Sequence, residues 1–226
     1  MQRAKLCLAA VCLLATATSR LAAQGFNGVM QFVSYEDHPD QPDTMTQITK
    51  GSKIRFEGMG KGGGAMIMDG TSRIVIIPEQ KQYMELPSDL GSKQAATESA
   101  KHHGVAAKTG KKETIAGITC EDWHYKGTGK DGKPEEGDAC VAQGAGLMIN
   151  RFAGGMSAHV FDAGGQAFND AINNGGGILK VTSDGKVVFI AVRAQATSVP
   201  DAMFAPPAGY TKMDMSQMGR RPPRKP

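Results

Sequence analysis

Short runs in which apolar and polar residues alternate recur along the chain, and they predict strands rather than helices. Residues 52–58 are the clearest case, because Ile54 and Phe56 alternate with three charged residues. Turn-forming pairs such as Asp-Gly and Pro-Glu separate the runs. The predicted strands are 25–35, 44–49, 52–58, 65–68, 73–78, 81–86, 113–126, 137–143, 178–181 and 186–196. The pattern indicates a mainly β domain, with some α structure, made of antiparallel hairpins.

Three segments depart from this alternation. Residues 144–152 and 164–174 have apolar spacing compatible with two short helices. Residues 88–108 are rich in Ala, Lys, Ser, Gln and Glu and carry almost no large apolar side chain, which predicts a mobile polar segment. Residues 199–210 favour a terminal turn in which Phe204 enters the core. We expect a single β-rich domain over residues 24–212.

Residues 1–23 have the three-part pattern of a secretory signal peptide. Arg3 and Lys5 precede an apolar stretch over 6–17, and small residues follow it. The stretch is too short to span a bilayer comfortably. Cleavage is expected after Ala17 or Ala23, with Ala23 favoured.

The cysteines agree with export. Cys7 and Cys12 lie in the leader, and neither follows the small residue that a lipoprotein signal needs. We therefore expect an exported protein of the periplasm or cell envelope that is not a lipoprotein. Cys120 and Cys140 are then the only pair left in a compartment where disulfides persist, so they are expected to bond. Because they lie on consecutive predicted strands, the bond would determine the register of that hairpin.

Charge is concentrated in the last residues. Loss of Arg3, Lys5 and Arg20 with the leader lowers the formal net charge from +4 to +1, and the domain without its tail is mildly acidic. This balance argues against nucleic-acid binding. Residues 213–226 are predicted to form a disordered basic tail that is able to touch an anionic surface.

No catalytic or cofactor motif emerges. The spacing of the five histidines does not match a motif with three or four metal ligands. The sequence also shows no nucleophile paired with a general base. We therefore expect no enzyme activity and no cofactor. One metal alternative remains, since the thioethers of Met213, Met215 and Met218 suit Cu(I) in an exported protein.

Large apolar residues on the predicted strands are the best candidates for a binding surface. Their ordinary role is core packing, and their functional role would be to line an adaptable apolar pocket. The candidates are Phe32, Phe56, Met66, Met68, Trp123 and Phe189.

Four segments together resemble a family of exported bacterial proteins of unknown function whose members are thought to share the fold of the periplasmic lipoprotein carriers, LolA, LolB and their relatives. The segments are GFNGVMQF from Gly25, IAGITCEDW from Ile115, ACVAQGAG from Ala139 and FAPPAGY from Phe204. The resemblance implies an incomplete antiparallel β-barrel with short helices on its concave side and an apolar cavity between them. It carries over no catalytic residue.

These observations leave three hypotheses for function. The leading one is a non-enzymatic envelope protein that binds a lipid or acyl chain inside a curved sheet. The alternatives are a copper-handling protein that uses Met and His, and a structural or interaction domain of the envelope with a filled core.

Overall fold

In the part of the chain that the structure describes, twelve strands form one large curved sheet that does not close into a barrel. The structure is a computed structural model that describes residues 25–35, 40–59, 62–69, 72–86, 104–128, 133–144, 165, 167–172 and 174–214. The strands are β1 (Gly28–Ser34), β2 (Asp43–Lys50), β3 (Lys53–Met59), β4 (Gly64–Asp69), β5 (Ser72–Ile77), β6 (Gln82–Leu86), β7 (Val105–Ile115), β8 (Ile118–Thr128), β9 (Pro134–Gln143), β10 (Gly176–Ser183), β11 (Lys186–Ala196) and β12 (Thr211–Lys212).

The sheet consists of two meanders joined side by side. Strands β1 to β6 follow one another in order, and β7 to β11 do the same, with β7 at one edge and the two-residue β12 at the other. Strand β1 pairs with β11 and so unites the two meanders. All neighbours are antiparallel except β6 and β12. The expectation of a mainly β, antiparallel, unclosed sheet is confirmed.

Most predicted strands are found within two or three residues of their expected ends, but the single strand predicted over 113–126 is wrong. The chain reverses at Ala116 and Gly117, both of which have positive φ, so β7 and β8 form a hairpin. Ala-Gly is a weak turn signal because alanine disfavours that region. The polar segment predicted over 88–108 also ends earlier than expected, because β7 begins at Val105. The alanines and lysines at the start of β7 are part of a strand that pairs with β8. Residues 88–103 lie outside the described part.

Both faces of the sheet are covered over part of their area. One face carries Phe32, Phe56, Trp123 and Phe189 in the main buried cluster, and we call it the aromatic face. On the opposite face, a second cluster joins Ile48, Ala65, Ile67 and Ile76 to Val199 and Phe204 of the C-terminal segment. The prediction that Phe204 enters the core is therefore confirmed. The Arg55 guanidinium also holds this segment by donating to the Met203 carbonyl at 3.0 Å.

Helical structure is scarce in the described ranges. Residues 167–172 are helical, which agrees with the helix expected over 164–174, and two 3-10 turns lie at Pro78–Gln80 and Asp201–Phe204. Most of the expected helix 144–152 lies outside these ranges, so a set of short helices on the concave side stays a prediction. None of the helices that the structure describes is long and apolar enough to cross a membrane. The predicted signal peptide and residues 215–226 of the predicted tail also lie outside the described part.

The predicted disulfide joins Cys120 on β8 to Cys140 on β9, with Cα atoms 5.4 Å apart. Its two residues are not directly opposed, because Cys140 pairs with Asp122 in the strand register. The bond is therefore diagonal across the two strands. Both cysteines are almost completely buried.

Removal of this bond should destabilise the fold. In the chain-entropy model, a crosslink that closes a loop of 20 residues stabilises the folded state by roughly 3 kcal/mol. We expect Cys120→Ser together with Cys140→Ser to lower the free energy of unfolding in urea by roughly 2 to 4 kcal/mol. The native protein unfolded with and without a reductant is the control, and identical midpoints would show that the two thiols are not bonded.

Candidate functional site

All six residues predicted to bind a hydrophobic ligand lie on the aromatic face. Directly opposed residues on antiparallel strands point to the same side of a sheet, so the register shows on which face each side chain lies. One row of opposed residues crosses β8 to β11 and consists of Trp123, Ala139, Val181 and Phe189. A second row crosses β1 to β4 and consists of Met30, Gln47, Phe56 and Met66. Phe32 and Met68 follow two residues after Met30 and Met66.

An aromatic stack connects the two rows. The rings of Phe32 and Phe189 lie 5.0 Å apart and are nearly parallel, at the junction of β1 and β11. This separation is typical of stabilising aromatic pairs. The two meanders therefore contribute to one continuous apolar surface.

Trp123 lies at the end of this apolar surface that is near the β7 edge of the sheet. The ring of Phe168, from helical residues 167–172, meets it edge to face with centroids 5.7 Å apart. The Lys108 ammonium lies 5.4 Å from the centre of the Trp123 ring and 2.7 Å from Glu121. An apolar surface thus ends at a cation over an aromatic ring.

Sequence reasoning missed several members of the cluster. Met30 and Tyr125 are fully buried and lie two residues from Phe32 and Trp123, so strand alternation was a usable signal for both. Tyr125 also donates its hydroxyl to the Thr182 carbonyl at 2.9 Å. Phe168 had no such signal, because its place on Trp123 depends on how a helical segment returns to the sheet.

A polar pair lies within the second row. Gln47 and Thr49 are at most 1% exposed, and the Gln47 amide nitrogen donates to the Thr49 hydroxyl at 3.0 Å. Within the described structure, the Gln47 Oε1 atom is buried and has no hydrogen-bond partner. Alternation places Gln47 on the aromatic face, but nothing in the sequence indicates that its oxygen is unpaired.

A partly buried charged cluster lies beside the disulfide on the opposite face, and sequence reasoning missed it. Lys180 of β10 donates to the Glu113 carboxylate of β7, across the bond between Cys120 and Cys140. Asp122 packs beside this ion pair, and its Oδ1 has no partner among the described residues. Burial raises the pKa of the Asp122 carboxyl above its usual range, the Glu113 charge raises it further, and Lys180 opposes both.

Three groups in this region converge as metal ligands do. Oxygen atoms of Glu113 and Asp122 and the sulfur of Cys140 lie within 4.8 Å of one another. The sulfur is part of the disulfide, however, and a thiolate is the form that binds metals. The carboxylates already face the ammonium of Lys180, so the arrangement fits an ion-pair cluster better than a metal site.

Of the three methionines proposed for Cu(I), Met213 lies in the described structure. The backbone N–H of Met213 donates to the Tyr83 carbonyl at 2.7 Å, which continues the pairing of β12 with β6. Met215 and Met218 lie outside the described residues. The copper alternative therefore stays a prediction.

His124 forms an exposed network with carboxylates of β9. Its two ring nitrogens lie 3.0 Å from Asp138 and 3.1 Å from Glu136. The hydrogen bond to Asp138, with the charges of both carboxylates, raises the pKa of the imidazole above its usual value. Each ring nitrogen faces an acceptor, so the arrangement suits an imidazolium that holds two strands together.

The fold and the aromatic face define a class of protein: an open, curved and almost entirely antiparallel sheet that gathers its aromatic and thioether side chains on one side. Residues 26–210 match a domain of unknown function, DUF4412, and the chain belongs to this family. The expected membership in a family of unknown function is confirmed at this level, and a fold like that of the lipoprotein carriers stays a prediction.

The chain is also similar to the crystal structure of an uncharacterized conserved protein from Thermus thermophilus. The two share 9% identity with a TM-score of 0.45, over 85% of this chain and 94% of that one. No curated protein sequence matches the chain.

The charged cluster predicts a pH-dependent effect of Asp122→Asn. The pKa of Asp122 is raised in the folded state, so its ionisation opposes folding as the pH rises above the usual carboxyl range. The variant should gain stability relative to the native protein as the pH rises above about 4, and the two should converge at lower pH. Urea unfolding across this range measures the difference, and a difference that does not change with pH would contradict the assignment.

Proposed function

We propose that the protein is a non-enzymatic protein of the periplasm or cell envelope that binds a lipid or another ligand with an acyl chain against the aromatic face. The observation that carries the proposal is the continuity of this face. The apolar residues of the two rows and the stack of Phe32 on Phe189 form a single surface across both meanders. An open sheet leaves room at its edges for such a surface to be reached.

The side chains on this face suit exchange of packing for a ligand. Met66 and Met68 have three rotatable bonds each, so they are able to refill or vacate space with little strain. A bound acyl chain would replace contacts that the apolar cluster makes with itself. Burial of each methylene group contributes about 0.8 kcal/mol, which is enough to drive such an exchange over a long chain.

The charged groups support binding rather than catalysis. The carboxylates that come together in the described ranges face a cationic or imidazole partner, namely Lys53, Lys180 or His124. In this proposal they stabilise the sheet and leave the aromatic face as the functional surface. Export by the signal peptide agrees with the disulfide, and the basic tail would bring the protein to an anionic surface.

A second candidate function is a structural or interaction domain of the envelope with a filled core. Near-complete burial favours it, because all six predicted ligand-binding residues are no more than 8% exposed. The two candidates differ in one measurable property: a carrier takes up a hydrophobic probe, and a filled core does not.

Binding is best measured with a long-chain fatty acid that carries a dansyl group. The chain has one tryptophan, and Trp123 lies on the aromatic face, so energy transfer to the probe reports binding at that face. We expect saturable transfer that unlabelled fatty acid reverses. Native mass spectrometry of protein purified from its own envelope should also show a retained lipid, whereas retained copper would favour the copper alternative.

Met66→Gln tests the location, because it adds a polar group of similar size to the aromatic face. We expect about tenfold weaker probe binding, as burial of a methionine side chain contributes about 1.5 to 3 kcal/mol. Met203→Gln is the matched control, since Met203 packs in the cluster on the opposite face. An equal loss of probe affinity in both variants would show that the probe does not bind at the aromatic face. Absence of probe binding by the native protein would overturn the carrier proposal.

A further inference from the structure

Gln47 is an exception to the apolar character of the aromatic face. Its side chain is 0% exposed, and it lies directly between Met30 of β1 and Phe56 of β3 in the strand register. Its amide nitrogen is satisfied by Thr49, while Oε1 is buried without a partner among the described residues. The amide is therefore half satisfied at the middle of the proposed ligand surface.

Burial of a hydrogen-bond acceptor that has no donor lowers the stability of the fold. Desolvation of such a group without a new hydrogen bond destabilises a fold by about 1 to 3 kcal/mol. Methionine has nearly the same volume and would remove this penalty among apolar neighbours. A purely structural role for Gln47 would need only the hydrogen bond from its amide nitrogen to Thr49. Such a role does not explain why a residue with the additional buried acceptor Oε1 is found here.

We propose that Gln47 Oε1 accepts a hydrogen bond from the bound ligand, and that the ligand therefore carries a hydroxyl, an amide N–H or a protonated carboxyl group beside its apolar chain. This inference rests on the proposed function and specifies its ligand class. The donor would lie between Met30 and Phe56, with the apolar part of the ligand along the remaining side chains of the aromatic face.

The polarity of the acceptor restricts the ligand further. A carbonyl oxygen attracts a neutral donor and repels an anion, so a phosphate or an ionised carboxylate is excluded from contact with Oε1. Lys108 is one of the cations on this face, with Arg73 opposite Met68 as another. Lys108 lies over Trp123 at the β7 edge, where a second, anionic group would be accommodated. The predicted ligand class is thus a neutral hydrogen-bond donor on a long apolar chain.

Two probes that differ by methylation of one oxygen, which removes the donor, test the assignment. Dodecanol has a hydroxyl group, and dodecyl methyl ether keeps the oxygen and the chain but cannot donate. Competition of each compound against the dansyl fatty acid gives its affinity for the full-length mature protein. We expect dodecanol to bind about five- to tenfold more tightly, the fold-change that one net hydrogen bond produces.

Gln47→Met locates this preference at one residue. The variant should bind the two compounds equally, and it should take up the ether at least as well as the native protein, because the unpaired oxygen is gone. Circular dichroism and the urea midpoint confirm that it folds. The comparison of the two compounds on the native protein tests the donor requirement even where the variant does not fold.

Each outcome has a separate meaning. Equal affinity of the native protein for alcohol and ether, or a preference that persists in Gln47→Met, overturns the role of Gln47 and leaves the carrier proposal intact. Binding of neither compound, together with no binding of the dansyl probe, overturns the carrier proposal and this inference with it.

Discussion

The pairing of β1 with β11 is the interaction on which the rest of the molecule depends. It is the only pairing that joins the two meanders edge to edge among the described strands, and the stack of Phe32 on Phe189 lies directly on it. Without this junction the sheet would be two separate meanders, each with an additional exposed edge. With it, the apolar residues of both halves form one surface.

The two halves are stabilised by different means. In the half that contains β1 to β6, the C-terminal segment covers the opposite face with Val199 and Phe204. In the half that contains β7 to β10, the disulfide and the ion pair of Glu113 with Lys180 occupy that face instead. Covalent and charged groups thus stabilise the half that this segment does not cover, and the apolar cluster of the aromatic face extends across both halves.

Local patterns predicted most of the strands because alternation requires only neighbouring residues. The alternation of Ile54 and Phe56 indicates directly that they share a face. The pairing of Cys120 with Cys140 was predicted because the other two cysteines lie in the predicted leader. The hairpin at Ala116 escaped prediction because its turn uses a residue that rarely adopts positive φ. The six predicted ligand-binding residues were found on one face, but their number and chemistry alone could not separate a binding surface from a core.

The amino-acid sequence by itself determined most of the strands, the closing hairpin and the disulfide, since these depend on spacing along the chain. Only the tertiary structure decided that Trp123 and Phe56 share a face, that Lys180 reaches Glu113, and that Gln47 has a buried oxygen without a partner among the described residues. Those relations cross from one meander to the other or span several strands. They depend on strand order, which no local periodicity encodes.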